Sequence, residues 1–168
     1  MTLAERLFAW RGVVLAGAGL ALALVAKPTA SSWALGTPVI VLGLALRGWA
    51  FHHLGSVGRT RDPAAPGGRV ISGPYAVLPH PVYLANYLVA LGLVLTAEPG
   101  PILLALFLAL VAAVYGLLAR REGAQVADLP ARPSASMGLA GVARSERSTW
   151  ASVGALLAAQ AVMGAMRS

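Results

Sequence analysis

The chain has 168 residues, of which 58% are hydrophobic and 11% charged, with a mean hydropathy of +0.73. Soluble domains carry about 25% charged residues, so this composition excludes an ordinary soluble fold and suits one bundle of membrane helices. The absence of cysteine removes disulfides, thiolate nucleophiles and thiolate metal sites, and the net charge of +7 carries no interleaved aromatics of the kind a nucleic-acid surface needs.

Five apolar segments follow one another, and a span needs about 20 apolar residues. They cover 7–26, 33–52, 81–96, 101–119 and 150–166, which predicts an all-α integral membrane protein of about five transmembrane helices in a single domain, 1–168. The first segment is long for a signal peptide and is expected to be retained. Its Gly17 and Gly19 lack a preceding strand and predict close helix packing rather than a nucleotide-binding turn. The third and fifth segments are short for a span. In the fifth, Ala151, Ala155 and Ala159 recur at four-residue spacing and offer a surface for close approach of another helix, in this bundle or in a second copy as a homodimer.

Two short connections (27–32 and 97–100) alternate with two long polar ones (53–80 and 120–149). Of the thirteen Lys and Arg, Lys27 and Arg167 fall on one side and the remainder on the other. The positive-inside rule therefore predicts a cytoplasmic N-terminus, both long connections in the cytoplasm, and the C-terminus outside, as a multi-pass protein of the cell membrane. No strand pattern and no internal repeat is visible. A transporter is disfavoured by the want of inverted repeats and of paired charges within the spans.

The polar residues concentrate between Ser72 and Tyr87. Leu78 and His80 each precede a proline and are pushed toward extended geometry, while Pro81 suits the first turn of a helix. Tyr83, Asn86 and Tyr87 then share one helix face. Asn86 lies deep enough that an unsatisfied amide would be costly, which predicts a polar pocket. His80, held between prolines at a helix start, is a candidate site residue, and free N–H groups there favour an anionic ligand group. Arg47, near one end of the second span, either snorkels or faces a cavity. His52 and His53 are neighbours that point apart, and read as interfacial. Arg120, Arg121 and Glu122 close the fourth span.

Gly73-Pro-Tyr75, His80-Pro-x-Tyr83, a hydrophobic span and then Arg121-Glu122 together resemble the isoprenylcysteine carboxyl methyltransferase family, which is related to the phospholipid N-methyltransferases. The likeness runs from Leu46 to Glu122. Three positions depart from the family's R-H-P-x-Y-x-G and E-E patterns: Pro79 for the arginine, Ala85 for the glycine and Gly123 for the second glutamate. The resemblance implies a helical membrane enzyme that binds S-adenosylmethionine at the cytoplasmic face and admits a lipophilic acceptor from the bilayer. By position it implies that His80, Pro81 and Tyr83 belong to the cofactor-binding motif and Glu122 to the acidic motif, and Tyr75, Asn86, Tyr87 and Arg121 are expected beside them around the donor. Within that scheme the third helix start with Arg47 or Arg121 holds the methionine carboxylate, Glu122 takes the ammonium or a ribose hydroxyl, and His80 is the available base. Acceptors in the family are a prenylated-cysteine carboxylate, a phospholipid amine or the hydroxyl of a long-chain pyrone or resorcinol, and a carboxylate or hydroxyl is the expectation here. The competing class is a non-catalytic membrane protein that keeps the fold.

Overall fold

The computed structural model describes residues 3–55, 68–126, 129–132 and 136–167. Five helices dominate: α1 (Leu3–Val25), α2 (Ala30–Leu54), α3 (Pro81–Ala97), α4 (Pro101–Val126) and α5 (Leu139–Ala165). Two of them, Ala30–Leu54 and the Pro101–Arg120 stretch of α4, are long and apolar enough to cross a membrane, while Gly12–Val25 and Pro81–Ala97 are apolar but shorter. Large apolar side chains face outward, among them Leu42, Ile102 and Leu106. Such contiguous exposure is disfavoured in water and natural in lipid.

The helix boundaries follow from local chemistry. Thr29 caps α2 reciprocally with Ser32: the Ser32 N–H donates to Thr29 Oγ1 at 3.1 Å and the Thr29 N–H donates to Ser32 Oγ at 2.9 Å. This capping box satisfies two otherwise orphan donors. Pro81 opens α3 at a position that needs no N–H. Glu98 ends α3 in the left-handed region with φ 49°, and Gly100 turns the chain at φ 92° into α4. Two boundaries differ from the sequence expectation. Helix α4 continues past Ala119 to Val126, and α5 begins at Leu139 rather than near Trp150. Both extensions carry charged residues, so a count of apolar residues stops short of them.

The largest interhelical contact is between α2 and α3. These helices meet backbone to backbone along a line of small residues. A Cβ on Gly36 would lie 2.6 Å from the Gly92 carbonyl oxygen, one on Gly43 would lie 2.8 Å from the Val89 nitrogen, and one on Gly92 would lie 2.8 Å from the Ile40 nitrogen. Only hydrogen at Cα permits that approach. The close contact is secured at one end by a buried polar chain. Ser32 Oγ donates to the Thr96 carbonyl at 3.0 Å, Thr96 Oγ1 donates to Gln160 Oε1 at 2.8 Å, and Gln160 Nε2 donates to the Leu93 carbonyl at 3.0 Å. Thr96 and Gln160 are fully buried, and the chain joins α2, α3 and α5 without leaving these polar groups unsatisfied. Around it Leu22, Ile40, Val89, Leu93 and Val153 form the core.

The two ends of the bundle are unlike. At one, the short turns meet: the Lys27 N–H donates to the Ala97 carbonyl at 2.8 Å, and the Arg167 guanidinium donates to the Ala26 carbonyl at 2.8 Å and to that of Leu24. At the other, the two long connections meet. Residues 69–70 (β1) and 131–132 (β2) form a short parallel pair, with Arg69 opposite Ala131 and Val70 opposite Arg132. Sequence reading saw no strand here, since two residues are too few to show a period. Of the small-residue positions singled out from sequence, Gly19 lies against Leu156 of α5, and nothing approaches Gly17. Ala151 and Ala155 are exposed on α5.

The glycine line makes a direct prediction. Gly43→Ala and Gly92→Ala should each lower stability by about 1–3 kcal/mol, the usual range for overpacking. Gly154→Ala, which meets nothing within 4 Å, should leave the melting temperature in detergent unchanged or raise it. Equal melting of all three would contradict the backbone-contact geometry.

Candidate functional site

The end of the bundle that carries the long connections is built from four local features. The first is the Gly73–Ala76 segment, a short 3-10 turn. Gly73 has φ +58°, and a Cβ there would run into the His53 ring. Glycine is required twice over, by backbone conformation and by the imidazole against it. Ser72 Oγ lies 3.4 Å from His53 Nδ1, so α2 and the turn are joined at this point. Pro74 is buried and Tyr75 half-buried behind it.

The second feature is the start of α3. His80 is its N-cap residue, with an extended φ of −136° and no side-chain cap bond. Its carbonyl accepts from the N–H groups of Tyr83 and Leu84, each at 3.1 Å. Pro81 has no N–H, so of the first-turn donors only that of Val82 remains for a ligand. The helix start thus offers less to an anion than its position alone suggests. The His80 side chain lies in an aromatic row. Its ring centroid is 5.8 Å from that of Tyr83, which is 5.7 Å from that of Tyr115 on α4. A Cβ on Gly123 would sit 3.4 Å from His80 Nε2. The row therefore joins α3 to the last turns of α4, and Gly123 lets the α4 backbone lie against the imidazole edge.

The third feature lies one turn deeper along α3. Arg47 Nε donates to Glu146 Oε2 of α5, Arg47 Nη1 donates to Asn86 Oδ1, and its guanidinium carbon lies 5.1 Å from the centroid of the Phe51 ring. The Arg47 side chain is 13% exposed and that of Glu146 1%. This clasp ties α2, α3 and α5 through a buried ion pair. Arg47, in the second predicted span, is thereby paired with a glutamate that precedes the fifth predicted span, 150–166. Arg47 is thus committed to both Glu146 and Asn86, and Asn86 to Arg47. Tyr87, next on α3, is half-buried.

The fourth feature fastens the second long connection to α2. The Met137 N–H donates to the His52 carbonyl at 2.9 Å, and His52 Nδ1 is 2.6 Å from the Met137 carbonyl. Since a carbonyl only accepts, Nδ1 is the protonated nitrogen.

Of the residues singled out from sequence, the structure gathers His80, Tyr83 and Pro81 at the loop end, with Tyr75 in the adjoining turn, and places Arg47 and Asn86 in the neighbouring clasp. The side chains of Arg121 and Glu122 lie outside the described residues, although their backbone belongs to the same stretch of α4 as Gly123. Sequence reasoning missed Tyr115 and Glu146. Tyr115 sits inside a long apolar run with no motif around it. Glu146 falls in a stretch read as a loop; its signal was the four-residue spacing Val142, Glu146, Trp150, which marks one helix face.

Breaking a buried ion pair by removing one partner costs about 3–5 kcal/mol, because the other charge is left uncompensated. Arg47→Met and Glu146→Met should each destabilise in that range, and the double variant should cost far less than the sum. A double-mutant cycle of melting curves reads the coupling; additive losses would show that the two residues act separately.

Compared with known protein families, residues 31–129 match the phospholipid methyltransferase family, whose members are membrane methyltransferases. The match takes in α2, the Gly73 turn, α3 and α4, and thus the glycine line and the aromatic row. No curated protein and no solved structure gave a match.

Proposed function

The chain belongs to the phospholipid methyltransferase family, and from that premise we propose that it transfers a methyl group from S-adenosylmethionine to the carboxylate or hydroxyl oxygen of a lipophilic acceptor at the cytoplasmic face of the cell membrane. The single observation that carries this reading is the His80–Tyr83–Tyr115 row set against Gly123.

The residues present fit such a donor. A half-buried aromatic row suits a flat heteroaromatic base, and the Val82 N–H is available to a carboxylate. The motif departures also have a physical account. Ala85, in place of glycine, is fully buried on the α2–α3 line, and Gly43 opposite supplies the space. In this reading His80, Tyr83, Tyr115 and Tyr75 hold the donor with Arg121 and Glu122. Arg47 positions the wall through Asn86 and Glu146 and does not touch the donor. S-adenosylmethionine supplies a methyl group already activated on sulfur, so the protein's task is alignment and exclusion of water.

The basic residues gather toward the end with the long connections. That is the feature which supports a cytoplasmic site and a multi-pass topology with five spans. The competing reading, a member of the fold without donor binding, is favoured only by Pro79 and Gly123.

Binding of S-adenosylhomocysteine separates the two. A ligand at a hundred-fold excess over its Kd stabilises the native state by about 2.7 kcal/mol, so the melting temperature of detergent-solubilised protein should rise by several degrees. His80→Ala and Glu122→Ala should abolish that rise while leaving the unliganded melt in place. A flat melt at millimolar ligand would overturn the enzyme reading.

A further inference from the structure

The end of the bundle with the long connections carries positive charge that its described carboxylate does not answer. Arg69, Arg120, Arg144 and Arg147 are all exposed there. Among the described residues the carboxylate at this end is that of Glu146, and Arg47 already neutralises it. No described side chain pairs with Arg144 or Arg147. These two stand three residues apart on α5, and Trp150 follows three residues later, so the three form one ridge along the helix.

That ridge borders a groove on the flank of the bundle, with a volume of about 480 Å³, between α2 and the first half of α5. Leu44, Gly48 and Trp49 form one wall, and Leu139, Val142 and Trp150 the other. Trp49 is 51% exposed and Trp150 45%, so the groove is open to the side. Tryptophan sits by preference at the level of lipid headgroups. At that depth the two guanidiniums are within reach of phosphate, and the apolar walls face acyl chain. Val142, Glu146 and Trp150 are spaced by four on α5, so the buried Glu146 backs the groove. The clasp thereby closes the groove off from the aromatic row, and its occupant is not placed for methyl transfer.

We propose that groove and ridge together hold one anionic phospholipid as a fixed ligand that is not a substrate. An acyl chain lies between Trp49 and Trp150, and the headgroup phosphate is received by Arg144 and Arg147. Charge complementarity picks this occupant. A guanidinium presents a fork of N–H donors that matches a phosphate, whereas a zwitterionic lipid brings an ammonium that the two unpaired arginines repel. The chain bridges α2 and α5 over the outer side of the Arg47–Glu146 pair. The proposal is independent of the methyltransferase reading and holds or fails without it.

Fluorescence quenching tests the seat with no methyl donor present. The whole protein, with Trp10 and Trp33 replaced by phenylalanine, keeps Trp49 and Trp150 as reporters. It is placed in phosphatidylcholine vesicles that contain a small fraction of a lipid with brominated chains, either phosphatidylglycerol or phosphatidylcholine. The expected result is an apparent association about tenfold stronger for the brominated phosphatidylglycerol, as two arginines beside an anionic headgroup imply. Arg144→Gln with Arg147→Gln should bring the two lipids level, while melting in plain phosphatidylcholine vesicles stays that of the parent. Ala45→Phe, which fills the groove from its exposed edge, should remove the preference with both arginines in place. Arg69→Gln with Arg120→Gln takes the same charge from the same end and should leave the preference intact. Equal quenching by the two lipids in the parent, or a preference that survives Ala45→Phe, would overturn the proposal. So would an equal loss in the Arg69 and Arg120 pair, which would assign the preference to the basic end at large. Displacement of the brominated lipid by millimolar glycerol phosphate would also overturn it, by making the seat one for a soluble phosphate ester.

Discussion

Everything at the site depends on the line along which α2 and α3 touch backbone to backbone. Gly36, Gly43 and Gly92 leave no room for a β-carbon there, and the helices are close enough for Ser32 to reach the Thr96 carbonyl at 3.0 Å. In a lipid setting there is no hydrophobic drive between two apolar helices, so close van der Waals contact and interhelical hydrogen bonds must supply the association. The fixed approach sets the height of Pro81 against the end of α2. That in turn sets His53 against Gly73, Arg47 against Asn86, and His80 at the mouth of the bundle.

The clasp and the aromatic row divide the work between them. A buried ion pair is costly to assemble and more costly to break, which suits a device for holding three helices in one register. Arg47 has that role by its contacts: Glu146, Asn86 and the Phe51 ring take up its donors and its face. The aromatic row joins α3 to α4 by ring contacts. Its rings are half-buried, and Gly123 lies against the His80 edge.

Much of this was legible in the sequence, for identifiable reasons. The order of five helices, the proline start of α3 and the glycine turn at Gly73 follow from local chemistry that tertiary packing does not override. So does the meeting of Lys27 and Arg167 at one end. What escaped depends on partners distant in the chain. Gly36 and Gly43 are seven residues apart, as are Ala85 and Gly92, and two-turn spacing is easily passed over when four-residue spacing is sought. Glu146 looks like a loop residue until Arg47, ninety-nine positions away, is seen to neutralise it. Tyr115 gains meaning only from Tyr83. The free N–H groups expected at His80 are mostly taken, because its own carbonyl accepts from two of them.

The central claim is that the two long connections are joined through residues 69–70 and 131–132 at the end of the bundle that carries the His80 row. A cysteine-free chain allows a clean test. Arg69 and Ala131 are directly paired across β1 and β2 and both are exposed. The double substitution Arg69→Cys with Ala131→Cys should form an intramolecular disulfide under mild oxidation in native membranes, seen as a dithiothreitol-reversible mobility shift. S-adenosylhomocysteine should speed its formation. Two thiols that stay free while each reacts readily with a soluble maleimide would contradict the paired loops.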